Sequence, residues 1–129
     1  MGQSLGDILV KDVMTKSLIS ADPSTTVFQV ANLMEKGGVG AVLVKQNGEP
    51  AGIITDRDFA IKVTTQNLSS DTTIDKVASY PLATIDGNET IVSAAAMMSS
   101  KKIRKLAVTE NSKIIGIITS TDLVNQMAK

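Results

Sequence analysis

Apolar residues in this chain recur at two spacings, and the switches between them mark out the elements. Helical spacing governs residues 27–36, where Val27, Val30, Ala31 and Met34 fall on one stripe. Thr25 or Thr26 supplies an N-cap, and Gly37-Gly38 supplies the stop. Continuous apolarity takes over at Ala41-Val42-Leu43-Val44, a run of strand length. Gln46-Asn47-Gly48-Glu49 then carries the Asn-Gly hairpin signal, and residues 50–54 return as a second strand. That strand runs without a spacer into a helix opening at Thr55.

Ahead of these elements, residues 1–6 read as a loose lead-in. Residues 7–14 predict a short helix with Ile8, Leu9 and Val13 on its apolar side. Residues 18–20 predict an extended segment before the turn Asp22-Pro23-Ser24. The pattern then restarts, with a short helix over 74–78, a strand over 82–85 and a helix over 90–100. Strands over 106–109 and 114–118 and a helix over 122–127 complete it. Residues 64–72, rich in Thr, Ser, Asn and Asp, predict the linker. Each half reads helix, strand, helix, strand, strand, helix, which predicts an α/β or α+β fold with a small mixed sheet. Strands apolar on both faces need cover on both, so two packed copies are expected.

The restart is a sequence repeat. Gly52-Ile53-Ile54-Thr55-Asp56-Arg57-Asp58 returns as Gly116-Ile117-Ile118-Thr119-Ser120-Thr121-Asp122, an offset of 64 positions (116 − 52). The same offset carries Val13 onto Val77, Asp22 onto Asp86, Thr26 onto Thr90, Ala31 onto Ala95 and Met34 onto Met98 without a gap. Two copies of one supersecondary unit with pseudo-twofold symmetry and paired clefts are the expectation.

Composition narrows the chemistry. Thirteen basic and thirteen acidic residues cancel, which removes long-range attraction to a polyanion and predicts neither a nucleic-acid nor a membrane partner. Two Phe, one Tyr and no Trp make base-stacking platforms improbable. With no Cys and no His, thiol nucleophiles, histidine bases and the usual zinc ligand sets are excluded together. No run approaches the ~20 apolar residues of a membrane span. Met1-Gly2-Gln3-Ser4 lacks a signal-peptide core, so a soluble, cytoplasmic, non-enzymatic protein of 129 residues is expected, with no catalytic residue and no metal site.

The repeated Gly-Ile-Ile-Thr-x-x-Asp is the leading functional candidate. A strand delivers Thr55 or Thr119 to a helix start, with Asp58 or Asp122 three residues on. Backbone N–H groups at such a start favour anions, and a carboxylate suits a ribose diol. Thr-x-x-Asp is also close to a capping box, and the two roles are compatible. Lys101 and Lys102 complement a helix C-terminus. Arg104 and Lys105 open a strand of buried type, where a phosphate would compensate their charge, although a plain surface role for Arg104 is equally open. Gly38-Val39-Gly40 lacks P-loop spacing and reads as a helix stop. Asp56 with Asp58 is a weak Mg²⁺ candidate, since Arg57 lies between them.

Over residues 7–127 the chain resembles a pair of cystathionine-β-synthase (CBS) domains, a Bateman module. The likeness rests on Val13-Met14-Thr15, Thr26-Val27, Val39-Gly40-Ala41-Val42-Leu43-Val44 and Gly52-Ile53-Ile54-Thr55 with Asp58. The second copy contributes Thr90-Ile91, Ile103-Arg104-Lys105-Leu106-Ala107-Val108 and Gly116-Ile117-Ile118-Thr119 with Asp122. The resemblance implies two β-α-β-β-α repeats, over 7–66 and 67–129, packed through their sheets into one module with two clefts. It implies adenosine-containing ligands (AMP, ADP, ATP or S-adenosylmethionine), no obligatory cofactor, and a homodimer acting on an unidentified effector protein. In one cleft Asp122 would hold a ribose and Thr119 would lie near phosphates, with Thr15, Lys16, Ile19, Val39 and Gly40 opposite. The other would use Thr55 and Asp58, with Ser79, Tyr80, Ala83, Ile103 and Arg104 opposite. Arg104 and Lys105 stand where the family often places phosphate-binding residues. The first copy has Gly40 and Ala41 there, so unequal clefts are expected.

Three functions follow. The first is a non-catalytic sensor of adenosyl ligands; the second is an interaction or dimerisation module without ligand binding. A Mg²⁺-dependent enzyme acting on phosphates is the third, and the chain offers it no base or nucleophile beyond Asp, Lys and Thr.

Overall fold

A computed structural model describes residues 4–129, so the first half of the expected loose lead-in lies outside the described residues. A 3-10 turn at Leu5–Asp7 opens the described chain, and Ile8 and Leu9 are extended before α1 (Val10–Val13). The single helix expected over 7–14 is thus broken in two. There follow β1 (Ser20–Ala21), α2 (Val27–Gly37), β2 (Ala41–Gln46) and β3 (Glu49–Thr55). The short α3 (Asp56–Asp58) continues as a π-helical turn over Phe59–Thr64. After a 3-10 turn at Ile74–Lys76 come β4 (Thr84–Asp86), α4 (Ile91–Lys101), β5 (Lys105–Glu110), β6 (Lys113–Thr119) and α5 (Ser120–Met127).

The strands form two three-stranded mixed sheets, ordered β1-β2-β3 and β4-β5-β6, which makes the class α+β. In each sheet the first pair is parallel and the second antiparallel, with a bulge at matching places, after Val44 and after Val108. Asn47-Gly48 and Asn111-Ser112 turn the two hairpins with positive φ at both residues. Gly48 adopts that region at no steric cost, whereas Ser112, at φ 66°, does not. Ser112→Gly is therefore expected to raise stability by roughly 0.5–1 kcal/mol, read as a higher urea midpoint with an unchanged slope.

Packing divides the chain into two compact units, one formed by residues up to Leu18 with Ala83–Lys129, the other by Ile19–Leu82. They are called here the Asp122 unit and the Asp58 unit. Each core obeys the repeat. Val10, Ile85, Ile91, Ala94, Leu106, Val108 and Ile118 form one cluster. Ile74, Ala21, Val27, Val30, Val42, Val44 and Ile54, each 64 positions earlier or later, form the other. Ala41 and Leu43, on the opposite sheet face from Val42 and Val44, are buried too, in keeping with strands apolar on both faces. Of the helical stripe, Val27 and Val30 are buried, Met34 is half-buried and Ala31 is exposed.

The division also shows an exchange. The segment before each repeat's first strand packs on the body of the other repeat. In the Asp122 unit the Ile91 N–H donates to the Ile8 carbonyl at 2.9 Å and the Val10 N–H to Glu89 at 2.8 Å. In the Asp58 unit the Val27 N–H donates to Thr72 at 2.8 Å and the Ile74 N–H to Thr25 at 2.8 Å. These segments therefore satisfy the otherwise orphaned amides at the starts of α4 and α2. Residues expected to act as a linker thereby act as a helix cap.

Candidate functional site

The two strand–helix junctions are built alike. Thr119 is the N-cap of α5, and its Oγ1 accepts from the Asp122 N–H at 3.2 Å while Asp122 Oδ2 accepts from the Thr119 N–H at 2.9 Å. Thr55 and Asp58 repeat this at 3.4 Å and 2.8 Å. The capping box is therefore real in both copies. The next amides are also taken, with Ser120 N–H donating to the Arg104 carbonyl at 2.9 Å and Asp56 N–H to Gly40 at 3.0 Å. These bonds use up much of the anion-binding capacity expected of the helix starts.

Beside each junction runs the exchanged segment. Thr15 and Ile117 exchange both backbone hydrogen bonds, at 2.8 and 2.9 Å, and Ser79 and Ile53 do the same at 2.9 and 3.1 Å. The close approach needs the glycines. A Cβ on Gly116 would lie 2.6 Å from Met14 Sδ and 2.8 Å from the Thr15 carbonyl oxygen. One on Gly52 would lie 2.6 Å from the Tyr80 ring and 2.8 Å from the Ser79 carbonyl. The structure so gathers Thr15, Lys16, Thr119 and Asp122 in one unit and Ser79, Tyr80, Thr55 and Asp58 in the other. Thr15, Lys16, Ser79 and Tyr80 are exposed. Partial desolvation, then the charge of Asp75, raises the Tyr80 hydroxyl above its usual value of 10.0, so it remains a donor near neutrality.

Of the other sequence-derived candidates, Ile19, Val39 and Gly40 belong to the Asp58 unit, and Ala83, Ile103, Arg104 and Lys105 to the Asp122 unit. Gly38, at φ 63°, closes α2, in keeping with the helix-stop reading; Lys102 closes α4 in the same conformation. Arg104 is exposed ahead of β5, so the cost of burying its charge, one reason for assigning it a phosphate, does not arise. Lys105 is half-buried as the first residue of β5. No group of three or more acidic side chains is placed to hold a metal ion among the described residues.

The junctions differ in what they leave open. Asp122 Oδ1 has no partner among the described residues, and Thr119 Oγ1 acts only as an acceptor. At the other junction the Thr55 hydroxyl donates to Asp58 Oδ2 at 3.2 Å, and Lys62 Nζ lies 3.2 Å from Asp58 Oδ1. Sequence reading missed Lys62, although Asp58 and Lys62 have the i, i+4 spacing of a helical ion pair. It also missed the packing role of Gly52 and Gly116, for which a glycine inside a strand, repeated in register, was the signal.

Known proteins resemble this chain over most of its length. The CBS domain profile matches twice, over residues 10–64 and 69–129. The CBS domain-containing protein YhcV of Bacillus subtilis is 34% identical over 120 residues, 92% of this chain and 86% of that protein. The protein MK0525 of Methanopyrus kandleri is 36% identical over 124 residues, 94% of this chain but only 61% of its own length. Among solved structures, a conserved protein of Pyrococcus horikoshii superposes with a TM-score of 0.89 at 27% identity, covering 96% and 95% of the two chains. The CBS domain pair of protein MJ0100, in complex with 5′-methylthioadenosine and S-adenosyl-L-methionine, superposes with a TM-score of 0.83 at 27% identity, covering 93% and 95%.

Proposed function

Because the chain belongs to the CBS domain family, as a pair of these domains forming a regulatory module, we propose that it is a non-catalytic sensor of adenosine-containing ligands. The observation that carries this reading is the half-used carboxylate at Asp122. One oxygen caps α5, and the other is left to accept from the vicinal hydroxyls of a ribose. The Thr119 hydroxyl has its proton to give to a ligand oxygen. The MJ0100 pair, whose complex holds 5′-methylthioadenosine and S-adenosyl-L-methionine, supports an adenosyl ligand. Arg104, exposed and without an ion pair among the described residues, is the cation we assign to a phosphate where the ligand carries one.

A homodimer is part of the proposal. Phe28, Val92, Val124 and Met127 are large apolar side chains exposed on helices, with Met127 at 69%, and such residues are used to cover one another between copies. They equally favour the second reading, an assembly module without a ligand.

A thermal-shift panel of AMP, ADP, ATP, S-adenosylmethionine, 5′-methylthioadenosine and GTP separates the two. A ligand at about 100 times its Kd stabilises the fold by roughly 2.7 kcal/mol, a shift of several degrees. A shift confined to adenosine compounds is the expected result. Unchanged melting with all six would leave the assembly reading.

A further inference from the structure

Asp58 is the buried charged residue among the described ones, 8% exposed, and both of its carboxylate oxygens have internal partners. Its Oδ2 accepts from both the N–H and the hydroxyl of Thr55. Its Oδ1 faces Lys62 Nζ at 3.2 Å, and the same ammonium donates to the Val77 carbonyl at 2.8 Å. Lys62 is thus tied at two points, to the junction carboxylate and to the exchanged segment that carries Ser79 and Tyr80. An acidic residue four positions N-terminal to Lys is the favourable order for a helical pair, and the second bond fixes the ammonium further. In the other copy the position 64 residues on is Gln126, which is uncharged, and α5 runs as a regular α-helix where the first copy has its π-helical turn.

We propose that Lys62 is an internal occupant of the Thr55–Asp58 junction. It takes the carboxylate oxygen that a ribose diol would need, so an adenosyl ligand binds first at Thr119–Asp122, and at Thr55–Asp58 only after the lysine has swung away. This rests on the adenosyl-sensor reading and goes beyond it by giving the two sites a fixed order. Displacing a charge-assisted bond is worth roughly one power of ten in affinity or more. The lysine side chain is 36% exposed, so it can be released into water without unfolding its surroundings.

The test is calorimetric titration of the intact chain with 5′-methylthioadenosine and, in parallel, AMP. Wild type is compared with Lys62→Gln, Asp122→Ala, the double variant, and the double variant with Asp58→Asn added. Lys62→Met, which removes the ammonium at nearly constant length, guards against a peculiarity of the glutamine. Expected are one tight event in wild type and a second at least ~10-fold weaker. Removing Lys62 should bring the second event close to the first, persist in the Asp122→Ala background and vanish with Asp58→Asn. Two equal events in wild type would overturn the proposal, as would an unchanged weak event in both Lys62 variants. Weaker AMP binding with unaltered 5′-methylthioadenosine binding in those variants would also overturn it, making Lys62 a phosphate ligand instead. Absence of binding in every chain would instead remove the adenosyl-sensor reading itself.

Discussion

Asp122→Ala is expected to weaken adenosyl-ligand binding at the tighter site roughly 10- to 100-fold. The expected loss of stability is small, about 1 kcal/mol. The difference follows from the division of labour between the two carboxylate oxygens. Oδ2 holds the Thr119 N–H at 2.9 Å, a capping bond at a partly exposed helix start. Oδ1 has no such duty, so its loss is felt only when a ligand is present. Asp122→Asn sharpens the test. Its amide oxygen can still accept from the Thr119 N–H, so the melting temperature should stay within a few degrees of wild type. Its amide nitrogen donates where the ribose hydroxyls need an acceptor, so affinity should still fall. Calorimetry and a thermal melt on the same samples check both halves. Wild-type affinity in Asp122→Asn would reduce Asp122 to a helix cap.

Gly116→Ala should cost roughly 1–3 kcal/mol and lower the melting temperature by about 5–15 °C. A methyl group there meets Met14 Sδ at 2.6 Å and the Thr15 carbonyl oxygen at 2.8 Å. The methionine can rotate away, but the carbonyl is held by the Ile117 N–H at 2.9 Å and belongs to backbone. Relief therefore requires the exchanged segment to lift off β6, breaking the Thr15–Ile117 bridge. Because Thr15 and Lys16 ride on that segment, ligand affinity should fall with stability, even though neither junction side chain has changed. Gly52→Ala should behave alike, through Tyr80 and the Ser79 carbonyl. Gly6→Ala is the control; its added methyl would approach nothing nearer than 3.9 Å, so it should stay within about 0.5 kcal/mol of wild type. Equal melting of Gly116→Ala and Gly6→Ala would show that the segment yields without strain.

What the sequence determined by itself was local and periodic. Helical spacing located α2 and α4, unbroken apolar runs located β2 and β5, and Asn47-Gly48 located a hairpin, because each signal acts over a few residues. The offset of 64 matched seven of the eight buried residues of each core, since equivalent positions in a repeat face equivalent surroundings. Thr-x-x-Asp foretold both capping boxes, a motif whose partners lie three residues apart.

Tertiary structure alone decided which segment lies beside which junction. Periodicity carries no information on whether residues 8–16 pack on their own repeat or on the other, since either choice buries the same apolar side. The backbone bonds of Ile8, Val10 and Thr15 to Ile91, Glu89 and Ile117 make that choice, across separations of about 80 to 100 positions. Lys62 was decided in the same way. Its i, i+4 spacing from Asp58 permits an ion pair, but only the Val77 carbonyl, 15 positions along the chain and brought alongside by the exchanged segment, fixes the ammonium in place. Nearly identical Thr-x-x-Asp motifs thus end in different electrostatic states, one carboxylate closed by a cation and the other half open, because charge compensation is set by neighbours in space.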